Sequence, residues 1–361
     1  MKSETSTIPE EIIERSFAGR ISRDDALLLA GSSPLEVLGL ADRLRSTSSG
    51  NDVSYIINRN INFTDHCSGS CRFCAFKDST GYIMSLDQIL EKVEKAVQAG
   101  SSEVCIQGGL MENIDLGFYT EMLETIRSSF PSIHIHAFSP MEIYHAASLS
   151  GMSIKQTLLT LKKSGLNTMP GTAAEILSDR VRKTVCPEKI TTKEWIDIIT
   201  TAHNTGIRTT STMMYGHVET IEERIDHIMT IRDIQDRTGG FTEFVPLPFM
   251  PYNNSLGEEM MRSGRYMVTG TDDLMIHALA RIILHRHLNN IQASWVKLGK
   301  KAAQFALHCG ANDLGGTLME ERISKSAGAK SGEYMSAEEF EWMIRSAGRT
   351  PVRRNTLYER I

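Results

Sequence analysis

The sequence lacks the features that mark a membrane protein or a nucleic-acid-binding protein. No run of 18 apolar residues occurs among its 361 residues, so no segment is apolar over the length that a bilayer-spanning helix needs. Its 39 lysines and arginines are outnumbered by 44 aspartates and glutamates, which gives a net charge of −5 without a long run of one sign. Because nucleic-acid binding usually requires a clustered basic face, we expect neither nucleic acid nor membrane as a partner.

Cysteine is scarce and unevenly distributed, which argues against a disulfide framework. Such frameworks are typical of short secreted chains with regularly spaced cysteines, whereas this chain has six cysteines in 361 residues. Three of them, Cys67, Cys71 and Cys74, fall within eight residues, and the other three are scattered. Residues 1–4 show no apolar signal-peptide segment. We therefore expect a cytoplasmic protein whose clustered cysteines bind a metal or take part in catalysis.

Short runs of residues that favour β-structure recur along the chain, with helical patterns between most of them. Ser85 and Gln88 form a capping-box pattern at the start of the first of these helices, and Gly100 fits its end. Strands that alternate with helices predict parallel βα units, and their closure gives a TIM-type (β/α)8 barrel in the α/β class. The last two units are compressed, so a partly open barrel remains an alternative. The eight predicted strands begin near Ile61, Val104, Ile133, Leu166, Ile207, Phe241, Ile291 and Asp313.

Two smaller regions are predicted on either side of the barrel. Residues 1–50 form an N-terminal helical lead-in, residues 51–318 form the barrel, and residues 319–361 form a C-terminal helical tail packed on it. Barrel enzymes place their chemistry at the carboxyl ends of the strands, so chemically unusual residues at these ends are the candidates for a site.

The most informative segment follows the first predicted strand and has the spacing C-x3-C-x2-C. Its thiolates, from Cys67, Cys71 and Cys74, suit one face of a cuboidal 4Fe–4S cluster, because cysteine thiolates are the usual cluster ligands. Three protein ligands leave the fourth iron open. The alternative is a structural zinc site, which usually has four ligands. His66 is available as a fourth ligand, but it adjoins Cys67 directly and no second cysteine pair is present.

This cysteine loop, with Phe73 before its last cysteine, resembles the radical S-adenosylmethionine (SAM) superfamily. The resemblance implies that the open iron binds SAM and that one electron from the cluster cleaves SAM to methionine and a 5′-deoxyadenosyl radical. It also implies that Phe73 lies near the adenine of SAM. The residues that end the second strand, Gln107, Gly108 and Gly109, are implied to meet its amino group. From the residues alone, a core aromatic and a plain βα turn remain the alternatives.

Three charged residues further along the chain complete the SAM-binding positions that the resemblance implies. Glu175 follows the fourth strand and is a candidate for the ribose, and Arg182 is a candidate for the carboxylate. Glu219 follows the fifth strand and is a candidate for the adenine. A surface arginine is the alternative for Arg182, and an acid at a helix N-terminus is the alternative for Glu219.

Later segments resemble a narrower family, that of the second subunit of FO synthase. The resemblance runs from about residue 57 to residue 329. It implies the transfer of a 4-hydroxybenzyl group from L-tyrosine to 5-amino-6-(D-ribitylamino)uracil, a step toward the deazaflavin FO. The implied partners are the other FO synthase subunit and an electron donor such as ferredoxin or flavodoxin. The segments that carry the resemblance are residues 74–76, 133–140, 169–175, 214–217, 241–249 and 315–321.

Three residues are candidates for contact with the substrates. His134 and His136 alternate along the third strand, so both side chains share one face, which is either the barrel lumen or an ordinary core face. Tyr215 ends the fifth strand and is the third candidate, provided that its side chain faces the lumen.

Three competing functions remain open from the sequence. The nearest is aminofutalosine synthase of menaquinone biosynthesis, which shares the cysteine loop and the barrel. A non-catalytic iron–sulfur electron carrier is a second alternative, although such proteins typically ligate their clusters with four cysteines. A zinc-stabilised binding module is the third.

Overall fold

A computed structural model describes residues 8–74, 76, 81–172, 174–265, 267–320, 332 and 334–361 of the chain. Residues 1–4, Ala75, Ala173 and Glu321, which the sequence predictions involve, lie outside this range, as do the last residues of the FO synthase resemblance. Among the described residues, no helix is both long enough and apolar enough to cross a membrane.

Six parallel strands form one sheet, and they follow one another in chain order. Because every neighbouring pair is parallel, all six carboxyl ends lie at the same end of the sheet. The strands are β2 (Asn58–Asn62), β3 (Glu103–Gln107), β4 (His134–Ala137), β5 (Thr168–Met169), β6 (Arg208–Tyr215) and β7 (Phe241–Pro248), with β1 (Asp52–Ile56) directly before them.

The ring is completed by shorter contacts on the far side. Phe244 of β7 pairs with Ile291, and Gln292 pairs with Asp313, the first residue of β8 (Asp313–Gly316). Strand β8 pairs in parallel with β1, which leads into β2 after one intervening residue. Backbone pairing therefore continues around eight positions, and the predicted (β/α)8 barrel is confirmed. The seventh position contributes single bridges because only two short helices fit between Gln292 and Asp313.

Helices cover the outside of the barrel. Capping boxes start several of them, including the predicted one at Ser85 and Gln88 and another at Ser139 and Glu142. The helices between strands are α4 (Leu86–Gln98), α5 (Leu116–Ser129), α6 (Pro140–Leu149), α7 (Ile154–Ser164), α8 (Asp179–Val185), α9 (Thr192–Asn204), α10 (Ile221–Thr238), α11 (Ser255–Arg262), α12 (Gly270–Leu284), α13 (Trp295–Leu298) and α14 (Lys300–Ala306); α1 (Glu10–Ala18), α2 (Arg23–Ala30) and α3 (Pro34–Ser49) precede β1.

The two ends of the chain pack on the barrel. Helix α3 lies against α12, and α2 lies against α10. The C-terminal tail contains α15 (Ala337–Ser346) and, in addition to the expected helix, a short strand β9 (Thr350–Arg353) that pairs in parallel with β1. The division of the chain at residues 50 and 318 stays a prediction.

The residues after β9 close the amino-terminal end of the barrel with a buried polar network. The Arg354 guanidinium donates to both carboxylate oxygens of Asp313, at 2.6 and 3.0 Å. The Tyr358 hydroxyl donates to Glu243, and the Thr356 hydroxyl donates to Glu103 at 2.7 Å. Arg354 and Asp313 are buried. This end of the barrel is therefore a structural plug rather than an opening.

We expect Arg354→Ala to lower the free energy of unfolding by about 3–5 kcal/mol, because it leaves a buried carboxylate without its partner. Chemical denaturation monitored by circular dichroism measures this loss. The matched control is Arg360→Ala in the same segment, which removes an exposed ion pair with Asp52 and is expected to change stability little. Equal, small effects of both substitutions would contradict the structural role of the plug.

Candidate active site

A cavity of about 220 Å³ opens at the carboxyl ends of the strands. Its walls come from the cysteine loop after β2, the end of β3, the start of α6, the loop after β5, and the ends of β6 and β7. The parallel pairing of the strands brings these segments together, as expected for the catalytic end of a barrel.

The three clustered cysteines all line this cavity. Cys67, Cys71 and Cys74 are free thiols, and Cys71 is buried. Burial raises the pKa of the Cys74 thiol to about 11, which favours the protonated form until a metal binds. The backbone N–H groups of Gly69 and Leu110 donate to the Cys67 sulfur at 3.4 and 3.3 Å. Amide donation of this kind stabilises a sulfur that carries negative charge.

These thiols suit a cluster better than a single ion. Among the described residues, no three His, Cys, Asp or Glu side chains are grouped closely enough to hold one metal ion. A 4Fe–4S cluster carries its ligands on separate iron atoms, so its cysteines do not need such close grouping. The donor set of three cavity-facing thiols with amide donors therefore fits an iron–sulfur cluster.

The end of β3 packs against the cysteine loop at backbone distance. A Cβ atom on Gly109 would lie 2.1 Å from the carbonyl oxygen of His66, and one on Gly108 would lie 2.4 Å from the Phe63 ring. Gly109 also donates its N–H to the Thr64 carbonyl oxygen at 3.1 Å. Both positions therefore require glycine, and the reason is the close approach of two segments.

Gln107 reaches across the cavity from the same strand end. Its side-chain amide donates to the Thr172 hydroxyl at 2.6 Å, and both residues line the cavity. The structure thus places Gln107, Gly108 and Gly109 at the cavity, as the sequence predicted.

Glu175 lies opposite the cysteine loop and is paired with a lysine that the sequence analysis missed. The Lys189 ammonium donates to Glu175 at 2.8 Å and lies 5.3 Å from the centre of the Phe73 ring. Burial alone would raise the pKa of Glu175, but Lys189, with smaller contributions from Arg182 and His217, lowers it overall. Glu175 also has a φ of +46°, a left-handed conformation that is uncommon for a residue other than glycine. Glu175, Phe73 and Lys189 all line the cavity.

Arg182 does not line the cavity and instead supports the loop that carries Glu175 and Lys189. Its guanidinium donates to the carbonyl oxygens of Ala174, at 2.5 Å, and Ile190, at 2.6 and 2.9 Å. These backbone carbonyls accept from three of its N–H groups and the side chain is buried, so the structure does not bring Arg182 to the cavity, and its contact with the SAM carboxylate stays a prediction.

Glu219 also makes local contacts away from the cavity lining. Its carboxylate accepts hydrogen bonds from the backbone of Gly216 and His217 and from Arg224, at 2.5, 2.9 and 2.7 Å. Burial raises its pKa, but the His217 imidazole at 3.0 Å, together with Arg224 and the Gly216 amide, outweighs burial and lowers the pKa overall. Glu219 therefore stabilises the turn after β6. It lies two residues before the first residue of α10, which is nearly the position that the alternative interpretation, an acid at a helix N-terminus, requires.

The three substrate-contact candidates lie outside the cavity lining. Tyr215 is buried, and its hydroxyl donates to Asp273 on α12 at 2.6 Å. His134 and His136 share the Thr168 hydroxyl, at 2.8 and 2.7 Å, near the amino-terminal end of the barrel. Burial lowers the pKa of His134 to about 4, so its ring is neutral near pH 7. The structure favours the alternative interpretation, in which both histidines are core residues whose rings are hydrogen-bonded within the protein.

Glu142 is a cavity residue that the sequence analysis did not single out. Its carboxylate accepts from the Gly108 N–H at 3.0 Å and from the backbone and hydroxyl of Ser139, both at 2.7 Å. Burial raises its pKa to about 7. The capping-box pattern of Ser139 and Glu142 was visible in the sequence, but nothing in that pattern indicates that the acid faces the cavity.

Comparisons with known proteins decide the family. The radical SAM superfamily model matches residues 61–231, and the model described as the CofH/MqnC C-terminal region matches residues 238–361. A protein of Methanococcoides burtonii named 5-amino-6-(D-ribitylamino)uracil–L-tyrosine 4-hydroxyphenyl transferase is 61% identical over 354 residues, which are 98% of this chain and 99% of the relative. A protein of Archaeoglobus fulgidus with the same name is 54% identical over 94% of this chain and 96% of its own length.

The chain belongs to this family of radical SAM transferases. Membership implies a 4Fe–4S cluster and SAM as cofactors, and the family prediction from the sequence is confirmed.

Solved structures agree on the fold. Methylornithine synthase (PylB) has a TM-score of 0.75 at 16% identity, covering 95% of this chain and 97% of its own. The maturase HydG of the [FeFe]-hydrogenase has a TM-score of 0.74 at 15% identity, covering 95% of this chain and 75% of its own. At these identities the likeness concerns the barrel architecture alone.

We expect Cys71→Ser to abolish cluster assembly, because it removes one of three thiolates for which the cavity offers no replacement among the described residues. Iron content and the visible absorption spectrum after anaerobic reconstitution measure this loss. Cys309→Ser is the matched control, since Cys309 is equally buried but lies outside the cavity lining, with its thiol directed at the Phe305 carbonyl oxygen. Full iron content in Cys71→Ser protein would contradict the assignment of the loop cysteines as cluster ligands.

Proposed function

We propose that this protein transfers a 4-hydroxybenzyl group from L-tyrosine to 5-amino-6-(D-ribitylamino)uracil. The observation that carries this proposal is the 61% identity to a transferase of that name over 98% of this chain and 99% of the relative. The location is proposed to be the cytoplasm.

The cluster and SAM, when bound, supply a 5′-deoxyadenosyl radical that takes a hydrogen atom from tyrosine. The Cα–Cβ bond of tyrosine would then break to leave the imine of glycine, and the 4-hydroxybenzyl radical would add to the uracil ring. The adduct would release one proton and pass one electron to the oxidised cluster. A radical of this kind must be kept from water. The cavity lies at the carboxyl ends of the strands, and the segment that follows β7 contacts the cysteine loop that lines it. Helix α11 in that segment is attached to the cysteine loop, since Leu256 donates its N–H to the Arg72 carbonyl oxygen at 3.1 Å.

Cluster ligation is proposed for Cys67, Cys71 and Cys74, with SAM at the open iron. This rests on the three thiols facing one cavity and on the amide donors at the Cys67 sulfur.

The SAM contacts are proposed for the cavity-lining residues among the sequence candidates. Phe73 suits the adenine, and the Gln107–Gly109 strand end suits the amino group, since all of these residues line the cavity beside the cysteine loop. Glu175 suits the ribose because its carboxylate is ionised and faces the cavity. For Arg182 and Glu219 we propose a supporting role in the loops instead, because their donors and acceptors are occupied.

The tyrosine and uracil contacts are proposed for cavity residues other than His134, His136 and Tyr215. The Thr212 hydroxyl, Met214 and the Glu142 carboxylate line the cavity near the ends of β6 and β4. A hydroxyl and a buried carboxyl are suited to the polar groups of tyrosine and uracil, whereas Met214 contributes an apolar surface to an aromatic ring.

The other FO synthase subunit is proposed as the enzyme that consumes the product, and ferredoxin or flavodoxin as the electron donor. The aminofutalosine synthase alternative is not favoured, because the full-length relatives carry the transferase name.

The test is an anaerobic product assay. Reconstituted protein is mixed with SAM, dithionite, ring-labelled tyrosine and the ribitylaminouracil, and we expect 5′-deoxyadenosine together with a labelled hydroxybenzyl adduct by mass spectrometry. Cys71→Ser protein serves as the control that yields neither. Deoxyadenosine without the adduct would overturn the proposed substrates while leaving the radical SAM assignment intact.

A further inference from the structure

The cavity walls carry an unbalanced set of charges. Among the described residues that line it, three carboxyl groups and three thiols stand against a single cation, Lys189. The carboxyl groups belong to Glu142, Glu175 and Glu188. Binding a cluster converts the thiols to thiolates, so one fixed positive charge faces a strongly negative site.

The position of Lys189 is fixed by contacts on several sides. Its ammonium donates to Glu175 at 2.8 Å and lies 5.3 Å from the centre of the Phe73 ring. Phe73 is the residue directly before Cys74 in the chain. Its backbone N–H donates to the Cys186 carbonyl oxygen at 3.0 Å, and the next residue, Ile190, is held by two hydrogen bonds from Arg182. The lysine side chain is 18% exposed. The charge is thus held beside the cysteine loop and largely out of water.

Lys189 and the three cysteines of that loop line the same cavity. The ammonium lies over the ring of Phe73, which belongs to the loop itself. Because the Lys189 side chain is largely buried, solvent screens its charge only weakly at a cluster held by these thiols.

We propose that Lys189 sets the reduction potential of the cluster by stabilising the reduced form electrostatically, with Glu175 moderating its charge. Reduction adds one negative charge to a site that is already negative, so a fixed cation stabilises the reduced cluster more than the oxidised one. Glu175 has the opposite effect because its carboxylate neutralises part of the ammonium charge. The inference rests on the proposed cluster ligation but not on the proposed substrates.

The test is a redox titration of the reconstituted protein followed by electron paramagnetic resonance, without SAM or substrates. We expect Lys189→Gln to move the midpoint potential to more negative values and Lys189→Arg to restore it. Glu175→Gln is expected to move it to more positive values, since it leaves the ammonium uncompensated. Lys193→Gln, which removes a side chain that is 84% exposed on α9, is the matched control and leaves the potential unchanged.

Opposite shifts for the two cavity variants distinguish a charge effect from a structural one, because local damage has no reason to reverse its sign. An unchanged midpoint in Lys189→Gln protein with full iron content would overturn the inference. If that variant does not retain iron, a midpoint in Glu175→Gln protein that is unchanged or more negative overturns it. Cluster-loaded wild-type protein that makes no adduct would contradict the proposed substrates alone.

Discussion

The cysteine loop lies directly against the end of strand β3, and no side chain fits between them. Gly109 approaches the His66 carbonyl so closely that a Cβ atom there would overlap it at 2.1 Å. This contact brings the three thiols, the Gln107 amide and the Glu142 carboxylate to one cavity. The amide of Leu110, two residues after Gly108, also reaches the Cys67 sulfur because of it. The remaining features of the site depend on this backbone approach.

The two ends of the barrel differ in structure. Because the strands are parallel, all their carboxyl ends lie at one end of the barrel and all their amino ends at the other. At the carboxyl ends, groups are left facing an open cavity; at the amino ends, Arg354, Thr356 and Tyr358 from the C-terminal segment satisfy Asp313, Glu103 and Glu243. Asp313, Glu103 and Glu243 near the starts of their strands therefore belong to the plug, whereas Gln107 at the end of β3 belongs to the site. His134 and His136 lie in β4 but on the side of the plug.

The sequence was sufficient to predict the barrel, the strand positions and the cysteine loop, because these depend on local patterns and on spacing. Phe73, Gln107 and Glu175 line the cavity at which the resemblance places SAM, and their contacts with SAM stay predictions. The sequence did not indicate that Arg182, Glu219 and Tyr215 lie outside the cavity lining, because their partners at Ile190, Gly216 and Asp273 are set by local loop geometry or by packing against a distant helix. Lys189 could not be identified, since its role arises only when its loop folds over Phe73.

The measurement that tests the account most directly is Mössbauer spectroscopy of protein reconstituted with ⁵⁷Fe, recorded with and without SAM. Three cysteine ligands and one open iron predict that a single iron site of the cluster changes its parameters when SAM is added, while the others keep theirs. A cluster in which all four irons carry a cysteine thiolate and none responds to SAM would contradict the central claim.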